Sequence, residues 1–75
     1  MNKETHAADA HTAAAQEHEN AAKSHRTAAE HCNKGNHEAC QRQAKVALDQ
    51  SVKAHEASKL AHEKASQPVA VGAKQ

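Results

Sequence analysis

The chain has 75 residues and a formal net charge of +1 with histidine neutral, which describes one small domain without a strong field of either sign. Phe, Tyr and Trp are absent and basic residues alternate with acidic ones, so the stacking platforms and basic patches of a nucleic-acid binder are missing. No apolar run approaches the roughly 20 residues that span a bilayer, and the start from Met1 to His6 has no apolar signal core. These features point to a cytoplasmic protein with no nucleic-acid or membrane partner, where two cysteines are by default thiols.

Nineteen alanines supply most of the apolar count. Outside the C-terminal tail the large aliphatic residues are Met1, Val46, Leu48, Val52 and Leu60. An alanine core removes little area from water, at roughly 25 cal/mol per Å². A domain this small is marginal even with an ordinary core. Help is expected from self-association, a disulfide or a metal.

The first predicted element is a helix over about 3–32, rich in Ala, Glu, Gln, Lys and Arg and free of Gly and Pro. The turn is 33–36, Asn33-Lys34-Gly35-Asn36. Gly35 suits the left-handed position that ends a helix. Asn36 suits the N-cap of the next, with Glu38 near its positive end. The second helix is predicted over about 37–67, and Pro68 stops it, leaving 68–75 as a flexible tail. So short a turn makes the helices antiparallel neighbours. Glu19 with Lys23, Glu30 with Lys34, Glu38 with Arg42 and Asp49 with Lys53 are acid-first i,i+4 pairs suited to a solvated face.

Within helix 1 a seven-residue unit repeats: His11 with Ala14-Ala15, His18 with Ala21-Ala22, His25 with Ala28-Ala29, then Cys32. Spacings of three, four and seven put these residues on one face, so the histidines are expected to look inward. Helix 2 offers matching rows: Ala44, Ser51, Ser58 and Ala65; Ala47, Ala54 and Ala61; Leu48, His55 and His62. Counting back from the turn sets His11 against His62, His18 against His55, His25 against Leu48 and Cys32 against Cys40. The expected fold is therefore all-α, an antiparallel helical hairpin with an Ala-rich heptad seam. A homodimer forming a four-helix bundle is the expected assembly, with Val46, Val52 and Leu60 as candidates for the second contact.

Eight histidines in 75 residues make transition-metal binding the first functional idea, since imidazole suits Cu, Ni and Zn. No two histidines are four apart on one helix: the spacings are five, seven, seven, six, six, eighteen and seven. Chelation therefore needs both helices, through His18 with His55 and His11 with His62. The rival is that the histidines are packing residues in a structural or interaction module. Facing histidines would also repel once protonated, so acid should loosen such a bundle.

Cys32 and Cys40 are expected at one level across the tip, where a disulfide is reasonable. Free packing thiols, or a tip metal site with His31 and His37, are the alternatives. No pocket-forming core or oxyanion device accompanies the Cys and His residues, so the chain reads as non-enzymatic.

The repeated units from His11 to Ala29, the turn Gly35-Asn36-His37-Glu38-Ala39, and the run from His55 to Ala65 resemble small bacterial His- and Ala-rich helical-hairpin proteins, mostly uncharacterised. The style is similar to that of small His-rich helical proteins that bind copper and other divalent metals. The resemblance implies a helical hairpin with metal affinity. This chain has fewer histidines than those proteins and none at i,i+4.

Overall fold

A computed structural model describes residues 3–66, with side chains from His6 to Ser66. The tail expected over 68–75, its Pro68 and Met1 lie outside the described residues. Two helices form, α1 (Lys3–Asn33) and α2 (His37–Ser66), packed on each other as a hairpin.

The turn is built from its own hydrogen bonds. Gly35 has φ 76°, the left-handed region open to glycine. That reversal lets the Asn36 amide donate to His31 O at 3.0 Å and the Gly35 amide donate to Cys32 O at 3.1 Å. This 6→1 and 5→2 pattern is the Schellman motif, and it satisfies carbonyls that the end of α1 would leave open. Asn36 then begins α2. Its Oδ1 accepts from the Ala39 amide at 3.4 Å and its carbonyl accepts from the Cys40 amide at 2.8 Å. Glu38 lies in the first turn, where the helix dipole favours negative charge.

The seam is alanine. Ala14, Ala21 and Ala28 of α1 are buried against Ala39, Ala47, Ala54 and Ala61 of α2. Each methyl removed from water contributes about 0.8 kcal/mol, against roughly 1.5–3 kcal/mol for a fully buried Val or Leu. Every large aliphatic side chain among the described residues is on α2 and exposed: Val46, Leu48, Val52 and Leu60.

The phase of the seam differs from the expected one. Of each Ala-Ala pair in α1, the first alanine is buried, while Ala15 and Ala29 are exposed and Ala22 is half-buried. His11, His18, His25 and Cys32 are exposed beside the seam, not inside it. On α2 the row Ala47, Ala54 and Ala61 is the core row. Ser51 and Ser58 are half-buried, and Leu48, His55 and His62 are exposed. The physical reason is steric. The closest approach of two helices favours the smallest side chains, and alanine displaces imidazole from the centre to the edge.

The surface charges also pair differently. Among the described residues the ion pair within reach is Lys45 with Asp49, 3.6 Å apart and well exposed. The four acid-first pairs are not within that reach. Exposed pairs of this kind contribute little to stability, so the fold does not depend on either arrangement.

Candidate functional site

Two features of the hairpin bear chemistry: the edge carrying the histidines and the covalent tip.

His18 and His25 occupy the heptad position four residues after Ala14 and Ala21. From there each imidazole reaches across to α2. His18 Nε2 shares a hydrogen bond with Ser58 Oγ at 2.7 Å, and His25 Nε2 shares one with Ser51 Oγ at 3.1 Å. The donor in each pair follows the ring tautomer. Both bonds are exposed. His11 and Ala65 extend the two rows by one heptad each, and Ala65 has no hydroxyl, so the ladder has no third rung there. At the other end the row reaches Cys32.

This register replaces the expected one. His18 meets Ser58, three residues beyond His55, and His25 meets Ser51, three beyond Leu48. Three residues are roughly 4.5 Å of rise and about 60° of rotation on a helix. A hydroxyl therefore faces each imidazole at these levels.

His55 and His62 nevertheless belong to the same edge. His55 is four residues after Ser51 and three before Ser58, and His62 is four after Ser58. Such neighbours share a helix face. His11, His18, His25, His55 and His62 thus line one edge of the hairpin, all exposed. Among the described residues no group of three or more His, Cys, Asp or Glu side chains converges as a metal site would require.

At the tip, Cys32 and Cys40 are joined by a disulfide, with their Cα atoms 4.8 Å apart. That spacing lies within the range disulfides adopt. Cys32 is in the last turn of α1 and Cys40 in the first turns of α2, so the bond closes the loop that the Schellman turn already shapes.

The opposite edge carries Val46 and Leu60, two of the three residues expected off the seam for a second contact. Its half-buried row on α1 is Ala10, Glu17, Ser24 and His31, and on α2 Gln43, Gln50, Ala57 and Lys64. His31 Nδ1 and Gln50 Oε1 are buried there without a hydrogen-bond partner. Two open grooves run along this side. One is lined by Val46, Asp49, Gln50, Val52 and Lys53, the other by His6, Asp9, Ala10, Leu60 and Lys64. The signal that finds this edge is the fourteen-residue spacing of Val46 and Leu60, two whole heptads.

Fold and site together define a disulfide-closed helical hairpin with an alanine seam, one histidine edge and one aliphatic edge. No protein-family model matches the chain, and no curated protein or solved structure is significantly similar to it. No helix among the described residues is long and apolar enough to cross a membrane.

Proposed function

We propose that the chain is a non-enzymatic structural module that acts by self-association, an antiparallel hairpin that doubles into a four-helix bundle. One observation carries this: Val46, Leu48, Val52 and Leu60 are 41%, 59%, 49% and 50% exposed, while among the described residues the buried ones are all alanines. Burying even two of these aliphatics contributes as much as several seam alanines. A second copy is the simplest source of that burial for a small domain. The order of contacts supports the antiparallel sense, since Cys32, His25 and His18 meet Cys40, Ser51 and Ser58 in turn. Sedimentation equilibrium of the oxidised chain from micromolar to millimolar concentration tests the proposal. Mass rising toward twice the 8.0 kDa of the chain supports it, and a constant monomer mass rejects it.

A second reading is modest binding of divalent Cu, Ni or Zn by His11, His18, His55 and His62. What supports it is the collection of five histidines on one edge, together with the likeness to His-rich metal-binding proteins. Four nitrogens around one ion then come from two copies, because the described residues of one hairpin offer no convergent group of three. Calorimetric titration with Cu²⁺, Ni²⁺ and Zn²⁺ of the wild type and of His18→Ala/His55→Ala decides it. No saturable site tighter than tens of micromolar rejects metal binding. The compartment follows from the sulfur: cytoplasmic residence corresponds to thiols, and a persistent Cys32–Cys40 bond to an oxidising compartment. Thiol alkylation and mass spectrometry of the protein taken directly from cells distinguishes the two.

A further inference from the structure

Resting on that self-association, we infer which face the second copy covers: the aliphatic edge, with α2 of each copy lying on α1 of the other about a two-fold axis parallel to the hairpin. Size complementarity leads to this arrangement. On that edge α2 presents Val46 and Leu60, both large and exposed. α1 presents mostly small residues, Ala10, Ala13, Asn20 and Ser24, with Glu17 and His31 in the same row. Large side chains then pack on small ones only if α2 faces α1 of the second copy, because α2 against α2 would set aliphatics and lysines on each other.

Charge agrees with the same arrangement. On the aliphatic edge α1 carries Glu17 and Asp9, and α2 carries Lys53 and Lys64 with Asp49 beside Lys53. Lys64 and Asp9 line one groove of the hairpin, and an axis parallel to the hairpin keeps them level, so Lys64 then approaches Asp9 of the second copy. With α2 on α2, Lys53 would meet its own copy at the axis. Such reciprocal pairing, acid to base twice over, is what a closed two-fold contact requires.

Area is sufficient. Helices of 31 and 30 residues are roughly 45 Å long, and a flank two helices wide offers on the order of 800 Å². Each partner in a standard stable interface gives about that much. The histidine edge is the poorer candidate. Its one large aliphatic is Leu48, and the rest is histidine, serine and alanine, with His18 and His25 already bonded within the chain.

Sedimentation equilibrium of the full oxidised chain compares the wild type, Val46→Glu/Leu60→Glu and Leu48→Glu. All three positions are exposed and glutamate is a good helix former, so helical circular dichroism should be unchanged. We expect a dimeric wild type, a dissociation constant raised at least about tenfold in Val46→Glu/Leu60→Glu, and Leu48→Glu like the wild type. A dimer that survives Val46→Glu/Leu60→Glu, or one that Leu48→Glu breaks, overturns the face and leaves self-association standing. A wild type that is monomeric throughout overturns both. Cross-linking is independent of the variants: wild-type chains, half of them isotope-labelled, are coupled by zero-length carbodiimide. A Lys64–Asp9 link between a labelled and an unlabelled copy supports the face, and inter-copy links that avoid Lys53 and Lys64 overturn it.

Discussion

His18 Nε2 and Ser58 Oγ lie 2.7 Å apart although 40 residues separate them in the chain. With His25 and Ser51 at 3.1 Å, they fix the rotational phase of two helices whose shared core is otherwise uniform. A slip of one heptad would set His18 opposite Ser51 and His11 opposite Ser58, so the hydroxyls do not choose the heptad. The short turn and the Cys32–Cys40 bond do. His18 is exposed and Ser58 half-buried, so the bond's net worth is at the low end for hydrogen bonds, about 0.5 kcal/mol. A double-mutant cycle of His18→Ala and Ser58→Ala, read by urea denaturation, should return that coupling. Strict additivity would show that the bond contributes no stability.

Between Cys32 and Cys40 the chain closes a short loop, eight residues in separation. In the chain-entropy account a link of this length contributes roughly 2–3 kcal/mol. In a molecule with a buried set of seven alanines that is a large share of the total. Cys32→Ser/Cys40→Ser, or the wild type held in dithiothreitol, should lose about that amount. For a chain of this size the melting temperature then falls by roughly 8–24 °C. A reduced protein that melts within a degree or two of the oxidised one would contradict this.

Helix, turn and hairpin are legible in the sequence for concrete reasons. Gly35 is the internal break and takes φ 76°, and Asn36 caps α2. The long Gly- and Pro-free runs on either side have no competing conformation. The phase of the seam is less legible. His11, His18 and His25 repeat with Ala-Ala pairs, and a repeat of seven states the period of a helix face but not its centre. Ala14 and Ala15 are equally apolar, about 100° apart around the axis. The choice between them depends on α2, whose Ala47, Ala54 and Ala61 pack against the first alanine of each pair. That choice carries the histidines outward and moves His18 from His55 to Ser58. Val46, Val52 and Leu60 are legible as residues off the seam, whereas the half-buried row of Gln43, Gln50, Ala57 and Lys64 is not, because it is mostly polar.

The Schellman turn should be sensitive at Gly35. An added Cβ there meets nothing within 4 Å, so the cost of Gly35→Ala is backbone conformation and not collision. Holding an L-residue in the left-handed region costs roughly 1–2 kcal/mol. Thermal denaturation of Gly35→Ala should show a loss of about 1 kcal/mol, and Gly35→Asn a smaller one, because asparagine tolerates this region. Equal losses would point away from φ as the cause.

Ala14 and Ala15 offer the sharpest check on the phase of the seam. Ala14 is 6% exposed and faces α2, whereas Ala15 is exposed. Leucine is nearly as good a helix former as alanine, so propensity does not separate Ala14→Leu from Ala15→Leu. Packing does. Three further carbons at position 14 have no space between closely approaching backbones, and overpacking of this kind costs typically 1–3 kcal/mol. The same carbons at position 15 extend into solvent and should change stability by less than about 0.5 kcal/mol. Urea denaturation of the two variants ranks them. A larger loss at position 15 would mean that the second alanine of each pair, and with it the histidine row, is turned toward the partner helix.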